Sequence, residues 1–193
     1  MLGLKLPTDP RWVNIVEKNI DEILTDHAYC EQKAASTAIS LIVTFPEYPE
    51  LVKEMIALSR EEMGHFKMVH DRILARGKTL GKYRKDEYVI ELMKFFPKGG
   101  SREEQLVHRL LIAALIEARS CERFRLLAEE LADRDLAAFY HQLMISEAGH
   151  YTLFLNFART YGERKTVDQK WHDLLAYEAE IMKGLGKKET IHG

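Results

Sequence analysis

Two copies of one short motif, Glu62-Met63-Gly64-His65-Phe66 and Glu147-Ala148-Gly149-His150-Tyr151, decide the predicted fold of this chain. Each copy places a carboxylate and an imidazole three residues apart. Residues with that spacing are neighbours on one face of an α-helix, so each pair can bind a single metal ion. Two such pairs, offset by 85 residues, predict a helical bundle that holds a two-metal site.

Apolar residues surround both pairs at helical spacing. The stripes are Leu51, Met55, Leu58, Glu62, His65 and Val69, and then Leu136, Tyr140, Leu143, Glu147, His150 and Phe154. A Glu within an inward-facing stripe is costly to bury without a partner such as a cation. Gly64 and Gly149 lie inside these helices at a cost of about 1 kcal/mol each relative to Ala, and we expect a neighbouring helix to approach closely there.

A third match to the spacing, Glu189-Thr190-Ile191-His192, lies at the C-terminus beyond Gly184 and Gly186. No apolar stripe accompanies it. We therefore interpret it as a chance match on a frayed tail.

Two further acids complete a ligand set. Glu31 precedes Glu62 by 31 residues and Glu117 precedes Glu147 by 30, so the two halves match to within one residue. Each is the single acid within an apolar stripe: Leu24, His27, Glu31, Ala35, Ala38 and Ile42 form the first, and Leu110, Ala113, Glu117, Cys121, Phe124 and Ala128 the second. Glu122 is the alternative ligand, but five residues on it lies about 140° around the helix. The periodicity therefore favours Glu117.

One Glu from each of two helices and Glu-x-x-His from each of two others is the ligand pattern of ferritin-like bundles. The six predicted metal ligands, which are also the predicted catalytic residues, are Glu31, Glu62, His65, Glu117, Glu147 and His150. Their four carboxylates neutralise two divalent cations. Hard oxygen ligands without a thiolate favour iron or manganese over zinc.

Composition and helix signals are consistent with one domain over residues 1–193. The chain is 46% apolar and 30% charged, with a net charge of −2, as in an ordinary globular protein. An initial helix is predicted from Asp9 to near Asn19, and a final helix begins at Thr166. Between them we predict four bundle helices: the first from near Asn19 to Pro46, the second from Pro49 to about Ala75, the third from Ser101, and the fourth from Asp133 or Asp135 to Gly162.

The connection between the second and third bundle helices, residues 78–100, is too long for a tight turn. A crossover of this kind is typical of ferritin-like folds, and we predict a short helix over residues 86–96. Between Arg76 and Arg102 there are eight basic and three acidic residues, an excess of +5 in an acidic chain. Such residues are either a solvated surface or a phosphate-binding one.

Neither a signal peptide nor a membrane span is expected. The segment after Met1 is short of apolar residues, and the longest apolar runs are too short to cross a bilayer. We therefore expect a cytoplasmic protein in which Cys30 and Cys121 are reduced.

Four segments resemble a known family, the non-haem di-iron tRNA hydroxylases usually called MiaE. They are residues 27–35, 60–66, 116–124 and 146–151, and the resemblance extends from Trp12 to about Tyr161. It implies an all-α fold: a ferritin-like four-helix bundle with a long crossover connection and extra terminal helices. The iron ligands of the family match the six residues reached by periodicity.

By this resemblance the protein is a di-iron monooxygenase acting on tRNA. It would hydroxylate the isopentenyl group of a hypermodified adenosine next to the anticodon, using two iron ions and O2 as co-substrate. No flavin or nicotinamide motif is present, which implies an external electron-donating reductase. Lys82, Arg84 and Lys85 are the candidate contacts with tRNA phosphates.

Two alternatives belong to other functional classes. The first is a ferritin-like protein that handles iron or peroxide, such as a ferroxidase or a rubrerythrin-like protein, although the Cys-x-x-Cys module expected of rubrerythrins is missing from the sequence. The second is a purely structural bundle, which would leave the buried carboxylates unexplained.

Overall fold

The structure, a computed structural model, describes residues 2–185 and 190–192. Within these residues it contains seven α-helices and no β-strand, so the all-α prediction is confirmed. The helices are α1 (Trp12–Lys18), α2 (Ile20–Thr44), α3 (Pro49–Ala75), α4 (Glu87–Leu92), α5 (Arg102–Glu130), α6 (Arg134–Tyr161) and α7 (Arg164–Gly184).

Most helix ends lie where the capping residues predict them. The Ser101 hydroxyl accepts a hydrogen bond from the Glu104 N–H, and the Glu104 carboxylate accepts one from the Ser101 N–H. This reciprocal capping box begins α5. Asp133 caps α6 by accepting hydrogen bonds from the N–H groups of Asp135 and Leu136.

Three predicted helix ends are wrong. The first helix begins at Trp12 and not at Asp9, because the backbone bonds before it have a three-residue spacing, as in a turn. The last helix begins at Arg164 and not at Thr166, because the Glu163 carboxylate accepts hydrogen bonds from two N–H groups, including that of Thr166, and so caps it. The helix predicted over residues 86–96 is only Glu87–Leu92. The N–H groups of Lys94 and Phe95 donate to carbonyls three residues back, a tighter spacing that ends the α-helix.

The chain divides into two compact units. The first contains residues 18–85 with Thr190 and Ile191, and α2 packs along α3 within it across a four-residue connection. The second contains residues 2–17 and 86–185 with His192. There α5 packs along α6 across a three-residue connection, and α7 packs against α4, α5 and α6. A single domain over residues 1–193 stays a prediction.

Helix α5 is the most enclosed element of the second unit. Every residue from Leu110 to Leu115 is buried, and a helix that is apolar on all sides belongs in an interior. The same helix carries Glu117 and Glu122, which are buried as well. The burial of these carboxylates is therefore set by the packing of the whole helix and not by one stripe.

A buried ionic network joins three segments of the second unit. Arg119 on α5 is fully buried, and its guanidinium donates hydrogen bonds to Glu178 on α7 at 2.8 Å and to Glu122 at 3.0 Å. It also donates to the carbonyl of Leu6 at 2.9 Å. These bonds hold the N-terminal segment and α7 against α5.

The prediction of a frayed C-terminal tail is wrong for the residues that the structure describes. Ile191 and His192 are buried, at 0% and 4% exposure. The N–H of Ile191 donates to the Asp26 carboxylate at 2.7 Å. The two ring nitrogens of His192 lie 3.1 Å from Asp86 Oδ2 and 2.9 Å from Ser120 Oγ. Glu189, the first residue of the third motif match, lies outside the described residues.

In the described part of the chain, no helix combines the length and the apolar composition needed to cross a bilayer.

Candidate metal centre

The first unit brings three of the predicted ligands together. Glu31 comes from the middle of α2, and Glu62 and His65 come from adjacent positions on one face of α3. All three side chains are buried. Each offers one ligand atom, and these three atoms lie within 4.8 Å of one another. We call these residues the first triad.

His65 offsets part of the negative charge of the first triad. Its Nδ1 lies 3.2 Å from Glu62 Oε2 and 3.7 Å from Glu31 Oε2. Burial lowers the pKa of this imidazole, but the hydrogen bonds and charges of Glu31 and Glu62 outweigh it and raise the pKa to about 10. Without a metal, His65 is therefore the cation between two carboxylates at neutral pH.

The second unit brings the other three predicted ligands together. Glu117 comes from α5, and Glu147 and His150 come from one face of α6. One ligand atom from each lies within 4.8 Å of the other two, and all three side chains are buried. His150 Nδ1 lies 3.4 Å from Glu147 Oε2. We call these residues the second triad.

The donor chemistry of each triad fits a divalent metal ion. Two buried carboxylates with oxygens within 4.8 Å of each other repel, and a nearby cation stabilises both in their charged form. Carboxylate oxygens with an imidazole are ligands typical of iron and manganese, and neither triad contains the thiolate that would favour zinc. The two triads have the same composition: their Glu-x-x-His pairs are offset by 85 residues, and Glu31 and Glu117 by 86.

Glu122, the alternative ligand on α5, is engaged elsewhere in its unit. Its carboxylate accepts hydrogen bonds from the N–H and hydroxyl of Thr8, at 3.0 and 2.6 Å, and from Arg119 at 3.0 Å. Glu117, by contrast, lies in the second triad. The assignment of Glu117 as the ligand stays a prediction, but the surroundings of the two acids clearly differ.

One residue of the first site has a role that the sequence reasoning missed. His27, one helical turn before Glu31, is fully buried, and its Nε2 lies 2.5 Å from Glu31 Oε1. A carboxylate held in this way keeps one orientation towards a metal. The spacing of four residues on one helix face was the available signal.

The two cysteines do not join the triads. Cys121 donates a hydrogen bond to the Met144 carbonyl at 3.4 Å, and burial, with the nearby Glu147 charge, raises the pKa of its thiol to about 11. Cys30 is buried beside Asp26, with its sulfur 3.9 Å from a carboxylate oxygen. A thiol with a raised pKa is a poor nucleophile and metal ligand, so Cys121 is a packing residue.

The basic connection is partly neutralised by ion pairs within the first unit. Arg84 pairs with Glu22, and Arg76 and Lys78 pair with Asp21. Lys82 and Lys85 are exposed. Of the three candidate phosphate contacts, Arg84 is therefore also an anchor of the connection to α2.

Comparison with solved structures assigns the class of protein. "Protein 43 with aldehyde deformylating oxygenase activity from Synechococcus" matches with a TM-score of 0.92 and 32% sequence identity, over 98% of this chain and 95% of that chain. An all-α chain of this architecture that carries Glu and Glu-x-x-His on paired long helices is a ferritin-like protein. The predicted fold class is thereby confirmed.

Comparison with protein families then identifies the family. The family model described as tRNA-(MS[2]IO[6]A)-hydroxylase (MiaE) matches residues 2–193. The chain therefore belongs to the MiaE family, as its motifs predicted.

Two relatives carry the name tRNA 2-(methylsulfanyl)-N(6)-isopentenyladenosine(37) hydroxylase. The protein from Pseudomonas putida is 34% identical over 98% of this chain and 91% of its own length. The protein from Salmonella typhimurium is 30% identical over 81% of this chain and 75% of its own length. Both names describe hydroxylases, so the alternative of a ferritin-like iron- or peroxide-handling protein is not favoured.

Proposed function

We propose that this protein is a di-iron monooxygenase that hydroxylates the isopentenyl group of a hypermodified adenosine next to the tRNA anticodon. The proposal rests on the match of the MiaE family model to residues 2–193. The same chain holds two buried triads, each of two glutamates and one histidine. The tRNA substrate implies activity in the cytoplasm.

The two triads are the proposed iron ligands. The first triad, Glu31, Glu62 and His65, supplies three ligands. The second triad supplies three ligands of the same kinds. Four carboxylates against two divalent cations give a neutral set, which lowers the cost of burying the charges. When bound, iron supplies the reduction of O2 and the insertion of one oxygen atom into a C–H bond.

The protein's own residues prepare the ligands. His27 holds the Glu31 carboxylate through one oxygen, at 2.5 Å, and leaves the other oxygen facing His65. His65 must release its proton to bind a metal through Nδ1, so metal uptake is coupled to proton release. The burial of both triads keeps bulk water away from reactive species.

Two partners complete the proposal. Hydroxylation with O2 places one oxygen atom in the product and one in water, which requires two electrons and two protons. We propose that a separate reductase supplies the electrons. Lys82, Arg84 and Lys85 are the proposed contacts with tRNA phosphates, because they lie in the basic connection of an otherwise acidic chain.

The test compares His150→Ala with the wild-type protein. Iron per chain is measured by elemental analysis, and the modified nucleosides of tRNA are measured by mass spectrometry after incubation with O2 and a reductant. We expect the wild type to bind about two iron ions and form hydroxylated nucleoside, and the variant to lose both.

The control is His141→Gln, which changes an exposed histidine on the same helix. It should keep iron and activity, and circular dichroism should show that the His150 variant keeps its helices. Full iron occupancy in His150→Ala would contradict the ligand assignment. Iron with no hydroxylated nucleoside in the wild type would contradict the proposed reaction.

A further inference from the structure

Tyr83 stands out among the exposed side chains of the first unit. It lies within Lys82-Tyr83-Arg84-Lys85, and 54% of its surface is exposed. Among the described residues it is the one aromatic side chain in the set of exposed large hydrophobic residues. An exposed aromatic ring that fills no core position and is flanked by cations is a feature of surfaces that bind unpaired nucleotides.

The ring of Tyr83 is held in place by α2. It meets the ring of Tyr29 edge to face, with centroids 5.4 Å apart and planes at 86°. The Tyr29 hydroxyl donates a hydrogen bond to the Gly81 carbonyl at 2.9 Å. A Cβ at Gly81 would lie only 2.9 Å from Thr25 Cγ2, so this glycine lets the connection approach the helix closely.

Charged groups surround the held ring. Lys33 Nζ lies 6.0 Å from the Tyr83 centroid, at the limit of a cation–π contact. Lys82 and Lys85 are exposed on either side in sequence. Arg84, which pairs with Glu22, anchors this segment. A ring fixed beforehand loses little conformational entropy when a ligand stacks on it.

We propose that Tyr83 is a stacking platform for one unpaired base of the RNA substrate, with Lys82 and Lys85 on the neighbouring phosphates. The inference rests on the proposed function, because it requires an RNA substrate. It goes further in assigning a base contact outside the metal triads. Stacking suits a substrate whose bases are exposed in a single-stranded loop, since every base has a π-face.

The first test measures the affinity of an anticodon stem-loop RNA by fluorescence anisotropy at several salt concentrations. Tyr83→Ala should weaken binding by roughly 5- to 160-fold, the range of one lost base stack. The salt dependence should stay the same, because no phosphate contact is removed. Tyr83→Phe should bind like the wild type, since it keeps the ring.

A matched control separates stacking from the general loss of apolar surface. Val43→Ala truncates a side chain of the same unit that is 74% exposed and should leave RNA affinity unchanged. Equal affinities of Tyr83→Ala and wild type would overturn the proposal, as would a loss in Tyr83→Phe as large as that in Tyr83→Ala.

The second test observes the contact directly. Trp12 and Trp171 are 2% and 8% exposed, so a Tyr83→Trp variant adds the one exposed indole of the described residues. We expect stem-loop RNA to quench its emission, and polyphosphate, which has charge but no bases, to leave it unchanged. Equal quenching by polyphosphate, or a blue shift only with anionic vesicles, would overturn base stacking.

The wild-type reaction keeps this inference distinguishable from the proposed function. If the wild type hydroxylates tRNA while Tyr83→Ala binds and reacts normally, the stacking platform is wrong and the function stands. If the wild type neither binds nor hydroxylates tRNA, the proposed function fails and the platform fails with it. If the wild type hydroxylates tRNA and Tyr83→Ala binds it more weakly with unchanged iron content, both are supported.

Discussion

Glu117 and Glu122 lie five residues apart on α5 and are both buried, yet their surroundings differ. The helical periodicity places the two acids in different directions around α5, but it could not show what Glu122 binds. Its partner Thr8 is 114 residues away in sequence, and a contact so distant leaves no local pattern. The sequence therefore indicated which acid follows the stripe and missed the reason for burying the other.

Substituting each acid by its amide tests this distinction. Glu117→Gln should lose bound iron, because it removes a charged ligand of the second triad. Glu122→Gln should keep its iron but lower the free energy of unfolding by about 1–3 kcal/mol, since Arg119 and Thr8 lose a charged acceptor. Elemental analysis and urea unfolding measure the two effects. Iron lost from the Glu122 variant alone would reverse the assignment.

His65 makes the stability of the metal-free protein depend on pH. Its pKa is about 10 in the folded protein, above the ordinary value of 6.5 for the unfolded chain. The folded state therefore holds the proton more tightly, and the resulting stabilisation is complete below pH 6.5 and is lost as pH rises through 10.

We expect urea unfolding of the metal-free protein to show a decline in stability between pH 6.5 and 10. The decline should be smaller in His65→Gln, and His141→Gln, at an exposed position, should behave like the wild type. Identical pH profiles for His65→Gln and the wild type would show that the imidazole does not carry this proton.

At the scale of helices, turn and capping residues predicted most boundaries because those signals act locally. Pro49 begins α3, and the Ser101 capping box begins α5. The error at α7 arose because Glu163, a less typical cap than Thr166, occupies the capping position. Residues 93–96 form turns in place of the predicted helical end.

The predicted surroundings of Gly64 and Gly149 are wrong. Close approach of another helix was expected at both. Apart from its chain neighbours and the backbone of its own helix, no heavy atom of the described residues lies within 4 Å of a Cβ built at either glycine, and both glycines are exposed. A glycine in a helical pattern signals a local cost, but the pattern cannot tell whether a neighbour or solvent stands beside it.

Alanine at these two positions should therefore stabilise the protein. Gly64→Ala and Gly149→Ala each restore helix propensity without a clash and should raise the free energy of unfolding by about 1 kcal/mol. Gly162→Ala is the contrasting control, because its Cβ would lie 2.6 Å from Val167 Cγ2. Urea unfolding should show a higher free energy of unfolding for Gly64→Ala and Gly149→Ala and a lower one for Gly162→Ala. A lower free energy of unfolding in Gly64→Ala would contradict the conclusion that an alanine side chain fits there without a clash.

At the scale of the whole molecule, the sequence shows how charges are distributed along the chain, but it does not show which charged side chains form ion pairs. The connection carries an excess of +5 in a chain of net −2. Several of its cations are paired with acids of α2, which lie far away in sequence. The charge available to a ligand is therefore smaller than the count, and Lys82 and Lys85 contribute to it as exposed side chains.

The salt dependence of tRNA binding measures that available charge. Replacing Lys82 and Lys85 by Gln should weaken binding and flatten the plot of log affinity against log salt by about 0.7–0.9 per lost phosphate contact. Arg84→Gln should flatten it less, because Arg84 is already paired. Iron content should not change. An unaltered slope in the double variant would make the segment a solvated surface, without effect on the metal assignment.

The compact unit of residues 18–85 also has a consequence for the order of events during synthesis. Its helix pair closes over four residues, so its contacts are local, and such topologies fold in microseconds to milliseconds. A ribosome adds about 5–20 residues per second, so the rest of the chain takes several seconds more. We expect this helix pair, with Glu31, Glu62 and His65, to form before Glu117, Glu147 and His150 have been translated.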